Sequence, residues 1–414
     1  MHPATIREPA RDLRVADSAD VVVAGGGVAG IAAAVAAARS GASVLLLERT
    51  CTPGGLATAG NVAIYLPICD GRGRQVLGGL AEELLHLSVA DLRREVPAAG
   101  FFREPAAWRD PAATPGERAK GGRFQTGFDP AAFSLALEAL LLREGVRILY
   151  DTRVCAVARE GAAISHLVVE NKSGRTAVAC RAVVDATGDA DVCFLAGERT
   201  ESLATNVPAC WYYALGAGDA PVRLRYLSNP YDKDAGTGGG AKGPFLRGDD
   251  AADVAAHVLA SRELVRADLA ALRAANPGAD AQPFALPSIP CLRMTRRLVG
   301  ALSLGEADLH DWFDDAVCLA PDWRRAGPVW AIPWRCLVAP RTANLAACGR
   351  CASWDRTAWD ALRAIPVCAA TGEAAGLGAA LAARDGVALA DLDPRRLAAA
   401  LRDRGVNLDP ELLR

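Results

Sequence analysis

The sequence predicts an α/β protein: a Rossmann-like dinucleotide-binding domain that carries an antiparallel β-meander, with an inserted α+β substrate or cap domain. Three observations predict it. A glycine-rich turn joins an apolar strand to an alanine-rich helix between Asp20 and Ser40. Short alternating segments fill the stretch from Arg153 to Ala179. Between about 200 and 330 the chain changes character, with a helical pattern from Asp249 to Asn276 and a proline-rich segment from Gln282 to Pro290.

The first element is Asp20-Val-Val-Val-Ala-Gly25-Gly26-Gly27-Val-Ala29-Gly30, followed by a helix to Ser40, a stop at Gly41, and a second strand ending in Leu45-Leu46-Leu47-Glu48. In such a unit Gly25 permits the tight turn, Gly27 lets backbone approach a pyrophosphate, and Gly30 lets the helix lie close on the sheet. The helix N-terminus turns free N–H groups toward the phosphates. Glu48 stands near the spacing at which a carboxylate accepts hydrogen bonds from the adenosine ribose.

Residues 1–19 read as an arm leading into the first strand. After Glu48, the loop Arg49-Thr-Cys-Thr-Pro-Gly54-Gly55-Leu56-Ala-Thr58 is built of small residues, as where backbone passes close to a bulky group. Leu77, Leu80, Leu84 and Leu87 have helical spacing. From about 90 to 124 the composition is irregular. Asp129-Pro130 supplies an N-cap and a first-turn proline for a helix that ends at Gly145. Val146 to Tyr150 is a strand, and 153–159, 163–170 and 175–179 form the expected three-stranded meander. Ala182-Val-Val-Asp-Ala186-Thr187-Gly188 returns to the parallel sheet. Gly236 to Gly243 resembles a phosphate loop but has no preceding strand and no Ser or Thr after Lys242, so a loop is predicted. Asn344 to Cys348 reads as a strand, Thr371 to Leu381 as a small-residue helix, and Asp393-Pro394 as the cap of a final helix. The division that follows is a discontinuous dinucleotide-binding domain, 1–200 and 331–414, with 201–330 inserted.

Composition narrows the function. With 414 residues, 51% of them hydrophobic, the chain can bury more than one core. A net charge of −2 gives no electrostatic footprint for nucleic acid, so a small-molecule partner is expected. The N-terminus lacks a secretory pattern, and no apolar run is uninterrupted for the length of a membrane span, which together predict a cytoplasmic protein. The 12 cysteines are scattered through apolar segments and read as reduced core thiols. Cys348-Gly-Arg-Cys351 has dithiol spacing, but no second such pair completes a metal site.

Taken together these segments resemble the FAD-dependent oxidoreductases related to fumarate reductase and succinate dehydrogenase flavoproteins, in the branch akin to the flavin domain of heterodisulfide reductase. The resemblance rests on Asp20 to Gly30, Glu48-Arg49 with Gly54-Gly55 and Thr58, Gly78-Gly79, and Asp185 to Asp189. It continues through Arg296-Arg297, Ile332 to Val338, Asn344-Leu345 with Gly349-Arg350, and Arg363 ahead of Gly372 to Gly376. It implies FAD at the fingerprint, bound non-covalently, because no histidine follows Gly54-Gly55. Gly25, Gly27, Ala29 and Gly30 would hold the pyrophosphate and Glu48 and Arg49 the adenosine side. Gly54, Gly55, Leu56 and Thr58 would line the pyrophosphate and ribityl chain. Val154 would meet the adenine, with Ala186, Thr187 and Gly188 alongside. Gly349, Arg350 and a helix beginning near Gly372, with Ala375 and Gly376, would meet the flavin, whose reduced form carries negative charge that a helix N-terminus stabilises. The chain departs from its relatives at Arg350, Arg356, Trp359 and Glu373, the last standing where glutamine is usual.

For the chemistry, Arg335 and Arg363 are candidates to clamp a substrate carboxylate, while Arg293, Arg296 and Arg297 serve equally well as interdomain salt bridges. His310 is the histidine expected nearest the flavin, and Trp330, Trp334, Trp354 and Trp359 could wall the ring or fill a core. No second dinucleotide fingerprint occurs, so electrons would pass to oxygen or an external acceptor. The expected reaction removes hydride from a small organic substrate, aromatic or carboxylate-bearing, to give a C=C, C=O or C=N bond. A flavin-dependent reductase, a flavoprotein subunit of a multicomponent complex, and a non-redox dinucleotide-binding protein are the alternatives.

Overall fold

The computed structural model describes residues 5–6, 8–90, 107, 110, 112–120, 125–216, 222–228, 243–275, 278 and 280–414. Most of the irregular stretch expected from 90 to 124, and residues 236–242 of the glycine run, lie outside the described residues.

The centre is one mixed sheet. β1 (Val15–Ala24) leads through α1 (Val28–Ala38) to β2 (Val44–Leu47). α2 (Leu80–Val89) and α3 (Pro130–Arg143) follow, then β3 (Arg147–Leu149), β4 (Arg153–Glu160), β5 (Ala163–Asn171) and β6 (Gly174–Asp185). The strand order is β3-β2-β1-β6-β5-β4, with the first four strands parallel and β5 and β4 antiparallel to β6. The third meander strand and the returning parallel strand are therefore one continuous strand, β6: no turn residue interrupts Ala179-Cys-Arg-Ala182, and its two edges pair with different partners along its length. β1 also starts earlier than expected, at Val15, so part of the predicted arm is sheet. Asp129 caps α3 by accepting from the N–H groups of Ala131 and Ala132, as its sequence position predicts.

The second region is built on an antiparallel sheet of β7 (Ala209–Leu215), β8 (Val222–Ser228) and, after α4 (Ala251–Ala275), β9 (Gln282–Ala285). α4 packs on it through Val265 and Leu269, against Cys210, Tyr212 and Ala214. A hairpin of β10 (Ala316–Pro321) and β11 (Val329–Pro333) comes next. The boundary expected at 330 falls inside this hairpin, whose residues share the main core with the last helices, so a cut there would separate paired strands.

The chain returns through β12 (Leu345–Ala347), which pairs in parallel with the end of β6, to α5 (Arg356–Leu362), α6 (Ile365–Asp385) and α7 (Pro394–Arg402). α6 is long and apolar enough to cross a membrane, in contrast to the reading of the sequence, but 94% of that window is buried inside the fold. Its partner is α1. A Cβ on Gly372 would stand 2.1 Å from the Ala29 carbonyl oxygen, and one on Gly376 2.0 Å from that of Ala33, so the two backbones touch.

Candidate active site

The glycine turn sets the geometry. Gly25 has φ +104°, and a Cβ there would lie 2.4 Å from the Ala186 carbonyl oxygen, which brings the end of β6 against the turn. A Cβ on Gly30 would lie 1.8 Å from the Gly25 carbonyl oxygen, so this glycine serves the packing of α1 on its own strand. Gly27 differs from both. A Cβ there meets nothing within 4 Å, and it points where the N-terminus of α1 opens. That empty space beside free helix N–H groups fits a phosphate. The Glu48 carboxylate accepts from Gly26 N–H at 2.6 Å and from Thr50 N–H and Oγ1 at 2.7 Å, which fixes it beside the turn.

One cavity joins these parts. On its Glu48 side are Arg49, Thr152 and Val154, and at its middle Gly25, Gly27, Ala29, Gly54, Gly55, Leu56, and Ala186 to Asp189. The remaining wall is Arg350, Arg363, Ala364, Ile365 and Cys368, with Val62, Ile64 and Leu66 and the segment Ile289, Pro290 and Leu292 from the second region. Gly54 holds the loop to the turn by donating to the Gly26 carbonyl at 2.7 Å. Thr58 folds inward, its hydroxyl donating to the Pro53 carbonyl at 2.6 Å, and shapes the loop without lining the cavity.

The far wall is built by side chains that tie separate segments together. Arg350 donates to the carbonyl oxygens of Leu292 at 3.1 Å and Arg293 at 2.9 Å, and so holds the 289–293 segment over the cavity. Arg363 lines the cavity with its guanidinium anchored by Nε to Asp360 at 3.1 Å. Ala364 caps α6, with Pro366 in its first turn, so the helix N-terminus itself stands at the cavity.

Several expected positions lie elsewhere. The helix begins at Ile365, not near Gly372, and Gly372, Ala375 and Gly376 are buried in the fold, the two glycines against α1. Gly349 packs on Ala29 and Cys368 behind the wall. Arg335 pairs with Asp315 at 2.8 Å over the Phe313 ring, and His310 hydrogen-bonds the Leu413 carbonyl; neither lines the cavity. Trp330, Trp354 and Trp359 are fully buried, and each indole, like that of Trp334, donates to a backbone carbonyl, so all four belong to the core. Arg296 bridges to the Asp189 carbonyl at 2.8 Å and to Asp191 at 2.6 Å, while Arg297 pairs with Glu201 and Arg293 reaches Tyr226 and Ser228. Those arginines join segments and are absent from the lining. Glu373 faces away from the cavity and accepts from Leu80 N–H at 2.7 Å, capping α2; burial raises its pKa to about 7. Burial likewise pushes the thiols of Cys348 and Cys351 well above the usual range, which disfavours the reactive thiolate.

The wall residues that motif reading passed over are Thr152, Val62, Ile64, Leu66, Ile289, Pro290, Leu292, Ala364, Ile365 and Cys368. Only the α6 start had a signal, since Pro366 marks a first helical turn. The family model for FAD dependent oxidoreductases matches residues 20–205 and 234–401. Among solved structures the chain is similar to a geranylgeranyl bacteriochlorophyll reductase-like protein of Thermoplasma acidophilum, at 15% identity over 96% of this chain and 90% of that one, with a TM-score of 0.46. It is also similar to CabE, an aromatic hydroxylase from angucycline biosynthesis, at 13% identity over 94% and 68% with a TM-score of 0.46. A 3-ketosteroid-delta4-(5alpha)-dehydrogenase of Rhodococcus jostii gives 16% identity over 89% and 98% with a TM-score of 0.40. No curated protein sequence matches the chain. The family match spans most of the chain and includes the glycine turn, Glu48 and the cavity wall from Arg350 to Cys368: the protein belongs to the FAD-dependent oxidoreductases, enzymes that use FAD.

Proposed function

We propose that the enzyme removes hydride from a small organic substrate to give a C=C, C=O or C=N bond and passes the electrons to oxygen or an external acceptor. The observation that carries this reading is the one cavity that runs from Glu48 past the open space at Gly27 to Arg363 and the start of α6. Bound FAD supplies the hydride acceptor.

In this reading Glu48 and Val154 hold the adenosine side, and Gly25, Gly27, Ala29 and the Gly54 to Leu56 loop hold the pyrophosphate. The N-terminus of α6, at Ile365 rather than Gly372, takes the part of stabilising negative charge at the flavin end. Val62, Ile64, Leu66, Ile289 and Leu292 keep water from that end, and Arg363, fixed by Asp360, offers a cation to a substrate carboxylate. An aliphatic wall with two arginines, of which Arg350 is engaged by the Leu292 and Arg293 carbonyls and Arg363 is the one offered to the substrate, favours an apolar substrate carrying an acid. The membership of the branch akin to the flavin domain of heterodisulfide reductase is part of this proposal and rests on the sequence resemblance.

Anaerobic mixing of the oxidised protein with candidate donors tests the direction. Bleaching of the visible flavin band by an apolar acid bearing an oxidisable C–H bond is the expected result. A protein that stays oxidised with every donor, and whose reduced form is rapidly reoxidised by an unsaturated acceptor, is a reductase instead.

A further inference from the structure

The wall segment 288–293 borders open space on both of its faces. Its front lines the main cavity through Ile289, Pro290 and Leu292. Behind it lies a second, smaller pocket, which Ile289 and Pro290 line as well, together with Cys210 of β7, Val258 of α4, and Leu286. Leu286 is 46% exposed, so this pocket reaches the surface there. A wall inside a close-packed interior has no room to move, because atoms fill the space on either side. This one has a hollow at its back.

Its attachments lie at its ends. Ser288 N–H donates to the Ala59 carbonyl at 2.8 Å, and Arg350 Nη1 donates to the carbonyls of Leu292 at 3.1 Å and Arg293 at 2.9 Å. Arg293 N–H donates to Asn206 Oδ1 at 2.7 Å, a bond within the second region that does not depend on Arg350. Asp189 stands 3.5 Å from Arg350 Nη2, so the guanidinium keeps a carboxylate beside it whether or not it holds the two carbonyls. Pro287 and Pro290 fix φ at two positions, which makes the segment shift as a unit. Displacement of the segment therefore breaks few bonds and leaves no buried ion unpaired.

We propose that segment 288–293 is a gate on the apolar end of the main cavity, latched by Arg350, and that it opens into the pocket behind it to admit the substrate. Its service to a substrate rests on the proposed assignment of that end to the flavin. The opening itself does not, so the motion of the segment and the identity of the cofactor are decided by separate measurements.

The segment carries its own reporter. Cys291 is 5% exposed, whereas Cys51 lies on the surface and Cys318 is fully buried in β10. Timed alkylation of the holoenzyme with iodoacetamide, mapped by peptide mass spectrometry, tests the gate. Cys291 is expected to react more slowly than Cys51 but at least about tenfold faster than Cys318, whose exposure needs the core to unfold. Arg350→Gln should speed Cys291 at least about tenfold and leave Cys318 unchanged. Leu286→Trp, which fills the pocket from its exposed rim and touches neither tie, should slow Cys291 at least about threefold. Should Arg350→Gln speed Cys318 as well, the wild-type rates and Leu286→Trp decide. Reaction of Cys291 no faster than Cys318 in the wild-type protein, or a Cys291 rate that Leu286→Trp does not lower, would overturn the proposal.

Discussion

At the scale of single residues, the glycines of the first turn divide by what a side chain would meet. Gly27 has ordinary extended φ and ψ, −68° and 175°, and open space around its missing Cβ. Gly27→Val replaces a favoured N-cap residue of α1 but meets no clash, and should cost the fold only about 1 kcal/mol. It should weaken FAD binding at least about tenfold, or ~1.4 kcal/mol, measured by flavin retained after dialysis. Gly30→Val should instead reduce stability, because its side chain collides with the Gly25 carbonyl. Glu373 gives a prediction of a different kind. Its folded pKa, about 7, lies above the ordinary 4.5, so the native state binds the proton more tightly than the unfolded chain. Stability contributed by the protonated form is fully present below about pH 4.5 and is lost as pH rises through 7. Glu373→Gln keeps an acceptor for Leu80 N–H and cannot ionise. It should flatten this dependence and stabilise the protein at pH 8 by up to about 3 kcal/mol, read from denaturant midpoints. The family departure at this position was legible in the sequence, but its place was not: one residue of a helix gives no sign of which neighbour it faces.

Among elements, the pairing of α1 with α6 decides the shape of the cavity. Where small residues recur on a helix they permit either a ligand or another backbone to come close, and the composition is the same for both. That ambiguity is why Gly372, Ala375 and Gly376 read as flavin contacts although the glycines meet α1. The turn, α1, β2, the capped α3 and β4 were legible because each carries a local mark: a glycine pattern, an apolar run after a glycine stop, an N-cap with proline, or a short, loosely alternating segment bounded by turn residues. The continuity of β6 and the ten-residue β1 were not, because strand length is set by partners distant in sequence. Gly376→Ala puts a methyl group 2.0 Å from the Ala33 carbonyl oxygen. It should cost about 1–3 kcal/mol and lower the thermal midpoint, with flavin loss following the unfolding rather than preceding it. If the midpoint is unchanged and flavin alone is lost, the two helices do not hold each other as described.

For the molecule as a whole, the cavity exists because the second region is fastened over the sheet. Arg350 and Arg296 do this from opposite directions, one from the sheet to the 289–293 segment and the other from the second region to Asp189 and Asp191. Arg296→Ala leaves the Asp189 carbonyl without its guanidinium donor and should cost about 1–3 kcal/mol in stability. A double substitution with Asp191→Ala should cost less than the sum of the single changes. Such fastenings join residues 57 to 107 positions apart, and neither periodicity nor motif spacing reports them. The same holds for the cavity wall: Ile289, Pro290 and Leu292 carry no motif and become wall residues only through the tie to Arg350. Arg335 and His310, chosen for their chemistry, are placed by that same long-range folding on other surfaces. The most direct measurement is the identity of the cofactor released from the purified protein by heat or acid. Stoichiometric FAD, found free in the supernatant by absorption and mass and diminished in Gly27→Val, is the predicted result. A nicotinamide dinucleotide in its place, or flavin that stays attached to the denatured chain, would contradict it.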